Sequence, residues 1–266
     1  MRDYLADIVV RKRREVARRA RHVALATAAF EAAPRDPHRG RRAVEALRRS
    51  PGELPRVIAE VKLRSPSAGV LRVRSTGEVV RVARAYERGG AAVVSVLADG
   101  PGFGGSPLDV RRVAGAVSLP VLFKEFVLDP IQVELARACG ASLVLLLVRV
   151  LPAGALGELV HAVREAGMEP VVEAADDSEL DRAIESGAAV VGVNARDLRT
   201  FRVDPEAARS ILARAPDDRV AVFMSGVHDA AGLRRVAEGR ADAALIGEAL
   251  MRATDPAEKL REMLDA

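Results

Sequence analysis

The sequence predicts an α/β fold of one kind, a (β/α)₈ TIM barrel with an N-terminal helical extension. Three observations predict it. Short β-branched apolar runs recur eight times, at 56–61, 92–97, 119–123, 142–148, 169–173, 189–193, 219–223 and 243–246. Helical spacing fills the intervals, as in Thr76 to Arg88, Pro130 to Ala138, Leu156 to Ala166, Ser178 to Ser186 and Ala230 to Glu238. The length, 266 residues with 49% hydrophobic content, suits one large core. Eight strand-helix units in about two hundred residues favour a closed barrel over an open sheet. A doubly wound sheet is the competing fold, but no GxGxxG follows the first run, and Ser65-Pro66-Ser67 makes a poor dinucleotide cradle.

The chain divides at the first strand. Residues 1–50 form the extension and 51–266 the barrel, taken as the catalytic domain. Leu5, Ile8, Val9 and Val16 recur at helical spacing, and a Pro/Arg-rich connection follows from Pro34 to Arg42. Pattern alone leaves open whether this extension covers the mouth of the barrel, covers its base, or meets a second copy. Its 14 basic and 6 acidic residues, against 41 and 37 in the whole chain, make the positive charge local. Without aromatic interleaving or a nucleic-acid module, the basic face reads as solvated helix and not as a nucleic-acid site.

Other classes fall away on similar grounds. The longest apolar run, Leu143 to Val148, is bounded by Ser142 and Arg149 and has the length of a buried strand, so no membrane partner is expected. Arg2, Asp3, Asp7 and the basic run Arg11 to Arg14 have no apolar segment behind them, so a cytoplasmic protein is expected. Cys139 is the only cysteine, which excludes an internal disulfide framework and a multi-cysteine zinc site. His22, His38, His161 and His228 lack partners at metal-ligand spacing, and there is no GxSxG elbow or HExxH pair, so neither a metal nor a serine nucleophile is expected. The oligomeric state stays open between a monomer and a weak homo-oligomer.

Within each unit, Gly89, Gly140, Gly167, Gly187 and Gly239 close helices and are expected to take left-handed dihedrals. In a barrel of this type chemistry sits at the C-terminal ends of the strands, so polar residues there carry the most information. The first strand ends Glu60-Val61-Lys62, which puts a carboxylate and an amine on one side of the strand. The third ends Lys124-Glu125-Phe126, the fifth Val172-Glu173, and the sixth Val193-Asn194 ahead of Arg196 and Asp197. The seventh ends Met224-Ser225-Gly226 and the eighth Gly247-Glu248.

Only four of the 41 basic residues are lysines, namely Lys12, Lys62, Lys124 and Lys259. An arginine does not release its proton in a protein, whereas burial and neighbouring charge tune a lysine amine as an acid or base. Lys62 and Lys124, at strand ends, are therefore candidates for chemistry, with ion-paired structural lysines as the plain alternative. Gly226 and Gly247 precede helical segments after strands seven and eight, where backbone N–H groups can approach a phosphate. A purely structural turn explains either glycine alone equally well. His228, after the strand-seven turn, reads as a solvated loop histidine, with a place near the phosphate as the alternative.

The segment Ile58-Ala59-Glu60-Val61-Lys62-Leu63-Arg64-Ser65-Pro66-Ser67-Ala68-Gly69 closely resembles the first-strand signature of the indole-3-glycerol-phosphate synthase family. The resemblance continues through Phe103-Gly104-Gly105-Ser106, Lys124-Glu125-Phe126, Val172-Glu173, Val193 to Leu198, Ser225-Gly226 and Gly247 to Met251, in order along residues 56–262. Leu5 to Glu15 resembles the family's helical extension, unlike the related phosphoribosylanthranilate isomerase. The resemblance implies conversion of 1-(2-carboxyphenylamino)-1-deoxyribulose 5-phosphate, a small phosphosugar-anthranilate, to indole-3-glycerol phosphate with loss of carbon dioxide and water, in tryptophan synthesis and without a cofactor. Carried over by position, Lys124 would be the acid for ring closure, with Glu173 and Lys62 serving dehydration. Glu60 and Asn194 would orient the reacting groups. Ser65, Ser225, Gly226, Gly247 and Glu248 would surround the phosphate or its neighbours, Arg196 would support the polar site, and Phe126 would wall the aromatic ring.

Departures accompany the matches. The family usually reads Glu-Ser-Gly where this chain has Met224-Ser225-Gly226, so a thioether replaces a carboxylate expected to point into the mouth. Phe123 and Glu125 stand where Arg and Asp are common, and Ala175 where His is common. A diverged paralogue with altered or weak activity, or a non-catalytic binding or assembly subunit, are the competing functions.

Overall fold

A computed structural model describes residues 4–20 and 36–265. His22 and the beginning of the connection at Pro34 lie outside the described residues. Eight parallel strands, β1 (Arg56–Val61), β2 (Val93–Leu97), β3 (Val121–Lys124), β4 (Leu143–Leu147), β5 (Glu169–Ala174), β6 (Val190–Asn194), β7 (Val220–Met224) and β8 (Ala243–Ile246), pair in chain order. The barrel closes where β8 pairs with β1, Ala243 to Ile246 lying beside Arg56 to Ala59. Each predicted run overlaps one of these strands, and β3, β5, β6 and β7 each end one residue beyond their run. The third run starts two residues late because Pro120 has no N–H to give to a ladder, although its carbonyl accepts from Val94.

Alternation along the strands builds two cores. Val57, Ala59 and Val61 of β1 point outward with Val94, Val96, Phe123, Val144, Leu146, Val191, Val193 and Phe223 to meet the helices. Ile58, Val93, Leu122, Leu143, Leu145, Val171, Val190, Val222 and Leu245 fill the barrel interior. A period of two on every strand makes this possible, because one-residue slips would exchange the two sets.

The surrounding helices are set by their caps. Ser75, Asp129, Asp176, Asp204, Asp229 and Asp255 each accept a hydrogen bond from a backbone N–H of the first helical turn. Gly140, Gly167 and Gly187 are left-handed as expected. Gly89 and Gly239 are not. At the first of these, Gly90 takes the positive φ of 94° while Gly89 (φ −83°) caps the helix, and a Cβ there would lie 2.9 Å from the Ala257 carbonyl oxygen, so close packing explains this glycine.

The extension meets both ends of the barrel. Helix α1 (Tyr4–Ala20) lies at the mouth, where Leu5 and Ile8 join the interior cluster with Phe126 and Leu147. Helix α2 (Arg39–Leu47) closes the base, burying Ala43 and Leu47 completely. Gly40 comes so near the start of β5 that a Cβ would lie 2.5 Å from the Met168 carbonyl carbon, and its N–H donates to the Gly167 carbonyl at 2.9 Å. Among the described residues, no helix is long and apolar enough to cross a membrane.

Candidate active site

The inward-facing positions change character at the C-terminal ends of the strands. Ile58 gives way to Glu60 and Lys62, Leu122 to Lys124, Val171 to Glu173 and Val190 to Asn194, and each new side chain reaches one cavity. The Glu60 carboxylate is almost fully buried and accepts from Lys62 Nζ at 2.7 Å. Lys124 Nζ lies 3.8 Å from Glu60 Oε2 and 3.7 Å from Glu173 Oε2, within ion-pair range but beyond a hydrogen bond. Asn194 Nδ2 donates to Glu173 Oε1 at 2.9 Å and holds that carboxylate toward Lys124. The two oxygens facing Lys124 are buried without hydrogen-bond partners among the described residues.

That arrangement gives the two amines different capacities. Lys62 is engaged by Glu60, while the Lys124 ammonium stands between two carboxylates with donors left for something in the cavity. Burial pushes the Glu60 carboxyl up, but Lys62, Lys124 and Arg196 more than offset it and hold the group below the usual carboxylate range. Glu60 therefore stays ionised beside the two amines.

The twelve residues that the resemblance assigned to the site line this cavity: Glu60, Lys62, Ser65, Lys124, Phe126, Glu173, Asn194, Arg196, Ser225, Gly226, Gly247 and Glu248. Gly247 is required by close approach, since a Cβ would lie 2.7 Å from Glu60 Oε1. Ser225 and Gly226 are successive left-handed residues (φ 69° and 82°), a conformation that costs a serine of the order of 1 kcal/mol and that re-aims the chain at the mouth. Arg196 is fixed from both sides, its N–H donating to Asn194 Oδ1 at 3.0 Å and its guanidinium reaching the Phe201 carbonyl and Ser67 at 3.3 and 3.5 Å.

Two groups of lining residues went unread in the sequence, and Met224 was misread. Leu145, Leu147 and Leu245 form an apolar part of the lining, a role that their spacing of two from other interior residues could have signalled. Phe103, on the short helical turn Gly100–Phe103, and Phe201, in the loop after β6, also line it, where no strand or long helix period points to them. His228 is the exposed loop residue it was read as, and it also borders the cavity. Met224 differs from expectation in the other direction. It faces the interior but is buried in the apolar cluster with its methyl group over Gly192, and it does not line the cavity. A glycine opposite leaves room for the thioether to fold sideways.

Residues 5–263 match the family model described as indole-3-glycerol phosphate synthase. The chain belongs to the indole-3-glycerol phosphate synthase family. Similar family members include the indole-3-glycerol phosphate synthase of Leifsonia xyli, 43% identical over 98% of this chain and 97% of that protein. The enzyme of the same name from Mycobacteroides abscessus is 42% identical over 96% of this chain and 91% of its own length. Among solved structures, 3-hexulose-6-phosphate synthase from Salmonella typhimurium superposes with a TM-score of 0.65 at 15% identity, covering 79% of this chain and 97% of that one. That likeness speaks for the fold alone. Membership of the family extends over α1 as well as the barrel, because the match begins within the first turn of that helix.

Proposed function

We propose that this chain closes the indole ring, converting 1-(2-carboxyphenylamino)-1-deoxyribulose 5-phosphate to indole-3-glycerol phosphate with release of carbon dioxide and water, in tryptophan synthesis. The observation that carries the reading is the Lys124 ammonium held between Glu60 and Glu173 without a hydrogen bond to either, at the polar edge of a partly apolar cavity. Ring closure needs an acid at the ketone oxygen while the aromatic carbon attacks the carbonyl carbon. Lys124 supplies that proton. Departure of carbon dioxide from the attacking ring carbon, which carries the carboxylate, returns the bonding electrons to the ring. The hydroxyl formed from the ketone then leaves as water, with Lys62 as acid and Glu173 taking the proton lost from the ring system.

Binding divides between two walls. Phe103, Phe126, Leu145 and Leu147 suit the anthranilate ring, while Ser65, Gly226 and Gly247 suit the phosphate. Glu60, Asn194, Arg196, Ser225 and Glu248 orient the polar groups between these walls. Residues 1–50 act in this reading as an extension serving the barrel of 51–266. A phosphorylated substrate, which does not cross membranes, supports a cytoplasmic location, and the assembly is read as a monomer or weak homo-oligomer. The test is incubation of the purified chain with the carboxyphenylamino-deoxyribulose phosphate while indole fluorescence is followed. Fluorescence rising with stoichiometric carbon dioxide release is expected; substrate returned unchanged defeats the reading.

A further inference from the structure

Among the described residues of the extension, Lys12 is the charged side chain that is buried, at 1% exposure, on a helix where Arg11, Arg13, Arg14 and Arg18 reach solvent. Its amine sits among three carboxylates, 2.9 Å from Glu125 Oε2, 3.1 Å from Asp99 Oδ1 and 2.8 Å from Glu15 Oε2. Burial works against the charge on Lys12, but these carboxylates more than offset it and raise the amine's pKa. Two of the carboxylates belong to the barrel. Asp99 follows β2 and Glu125 follows Lys124 at the end of β3.

Each of these carboxylates also organises backbone at the cavity rim. Glu125 Oε1 accepts from the Phe126 N–H at 2.8 Å, and Asp99 Oδ2 accepts from the Gly102 N–H at 2.8 Å, one residue before Phe103. The strand ends are themselves joined, since Ala98 N–H donates to the Lys124 carbonyl at 2.9 Å. Phe103 and Phe126, with ring centroids 6.2 Å apart, therefore stand directly beyond the carboxylates that Lys12 holds. Arg11 adds a second contact to Asp99 at 3.1 Å.

We propose that Lys12 is a positioning residue: it latches the N-terminal helix across the ends of β2 and β3 and thereby fixes Lys124, Phe103 and Phe126 for the reaction. The inference rests on the reading of Lys124 as the acid. The charged groups around Glu125 are Lys12 from α1, which also pairs with Glu15, and Asp99 from the loop after β2, which also pairs with Arg11, while Lys124 is its neighbour in the chain. Burial pushes the Glu125 carboxyl up, with Lys12 pulling it down and Asp99 pushing it further up, to about 7. Protonation below that value removes half of the Lys12–Glu125 ion pair, so the latch loosens as the solution is acidified.

Full-length wild type, Lys12→Met, Glu125→Gln and Lys124→Ala are compared by kcat per folded molecule from about pH 5.5 to about pH 9. Wild type is expected to lose kcat on the acid side of about pH 7. Lys12→Met is expected to lower kcat about tenfold at pH 8, the scale of a misplaced reacting group. Glu125→Gln, nearly the same shape but unable to ionise, is expected to lose that acid limb and run near the wild-type acid value throughout. A wild-type kcat flat through pH 7, an unchanged kcat in a folded Lys12→Met, or an acid limb retained in Glu125→Gln each overturns the latch. If Lys12→Met does not fold, Glu125→Gln decides by the same criterion. Near-normal turnover in Lys124→Ala would instead overturn the assignment of the acid, which separates the two failures.

Discussion

The two ends of the barrel are built on opposite principles. At the base, α2 drives Ala43 and Leu47 into an interior made of Ile58, Val93, Leu122, Leu143 and Val190, and Gly40 lets the helix backbone touch the start of β5. At the mouth the same strands end in Glu60, Lys124, Glu173 and Asn194, two carboxylate oxygens lack hydrogen-bond partners among the described residues, and Ser225 holds a left-handed backbone. Close packing at the base supplies stability. The mouth retains unsatisfied polar groups and strain, which are of use only to something that enters the cavity. Helix α1 belongs to the second region, because its buried group is a charge held by two strand ends.

Substitutions at the two ends should therefore separate stability from turnover. The largest effect is expected from Leu47→Ala, which leaves a cavity at the base and should reduce unfolding free energy by about 2 to 5 kcal/mol while kcat per folded molecule is kept. Denaturant titration alongside the fluorescence assay checks both halves; a large fall in kcat would break the division of labour. Lys124→Ala should do the reverse, lowering kcat at least about a hundredfold, as for a lost general acid, with the denaturation midpoint little changed. Equal activity would make Lys124 structural.

Met224→Glu sharpens the boundary between the regions. Because Met224 lies in the apolar interior against Gly192, a carboxylate there should lower stability by roughly 1 to 3 kcal/mol and bring no gain in turnover. A rise in kcat would mean that the side chain swings into the cavity after all. The smallest of these effects is expected from Gly247→Ala, where the added methyl displaces Glu60 and should lower kcat about tenfold with a modest loss of stability. An unchanged kcat would show that Glu60 moves without consequence for the reaction.

Much of this was legible in advance, for identifiable reasons. Eight apolar runs with capped helices between them fixed the barrel, since backbone periodicity and turn chemistry are local. Glu60, Lys62, Lys124, Glu173 and Asn194 could be picked out because strand ends carry polar residues only where an apolar core stops. Glycines were harder to read. A positive φ and a close neighbour both demand glycine, and Gly89 answers to Ala257, nearly 170 residues away in sequence.

The sequence by itself thus determined the fold, the family and the set of side chains gathered at the mouth, because each rests on spacing along one strand or one motif. Only the tertiary structure decided where the extension goes and how the charges pair. Lys12 looked like one more cation in a basic helix, yet it is buried against Asp99 and Glu125, 87 and 113 positions further along the chain. Met224 ended a strand as a mouth residue should, yet the empty space above Gly192 on the neighbouring strand took its side chain out of the cavity lining. Both outcomes turn on what lies opposite a residue once the barrel has closed, and that neighbour is set by strand order and helix docking, which no local pattern contains.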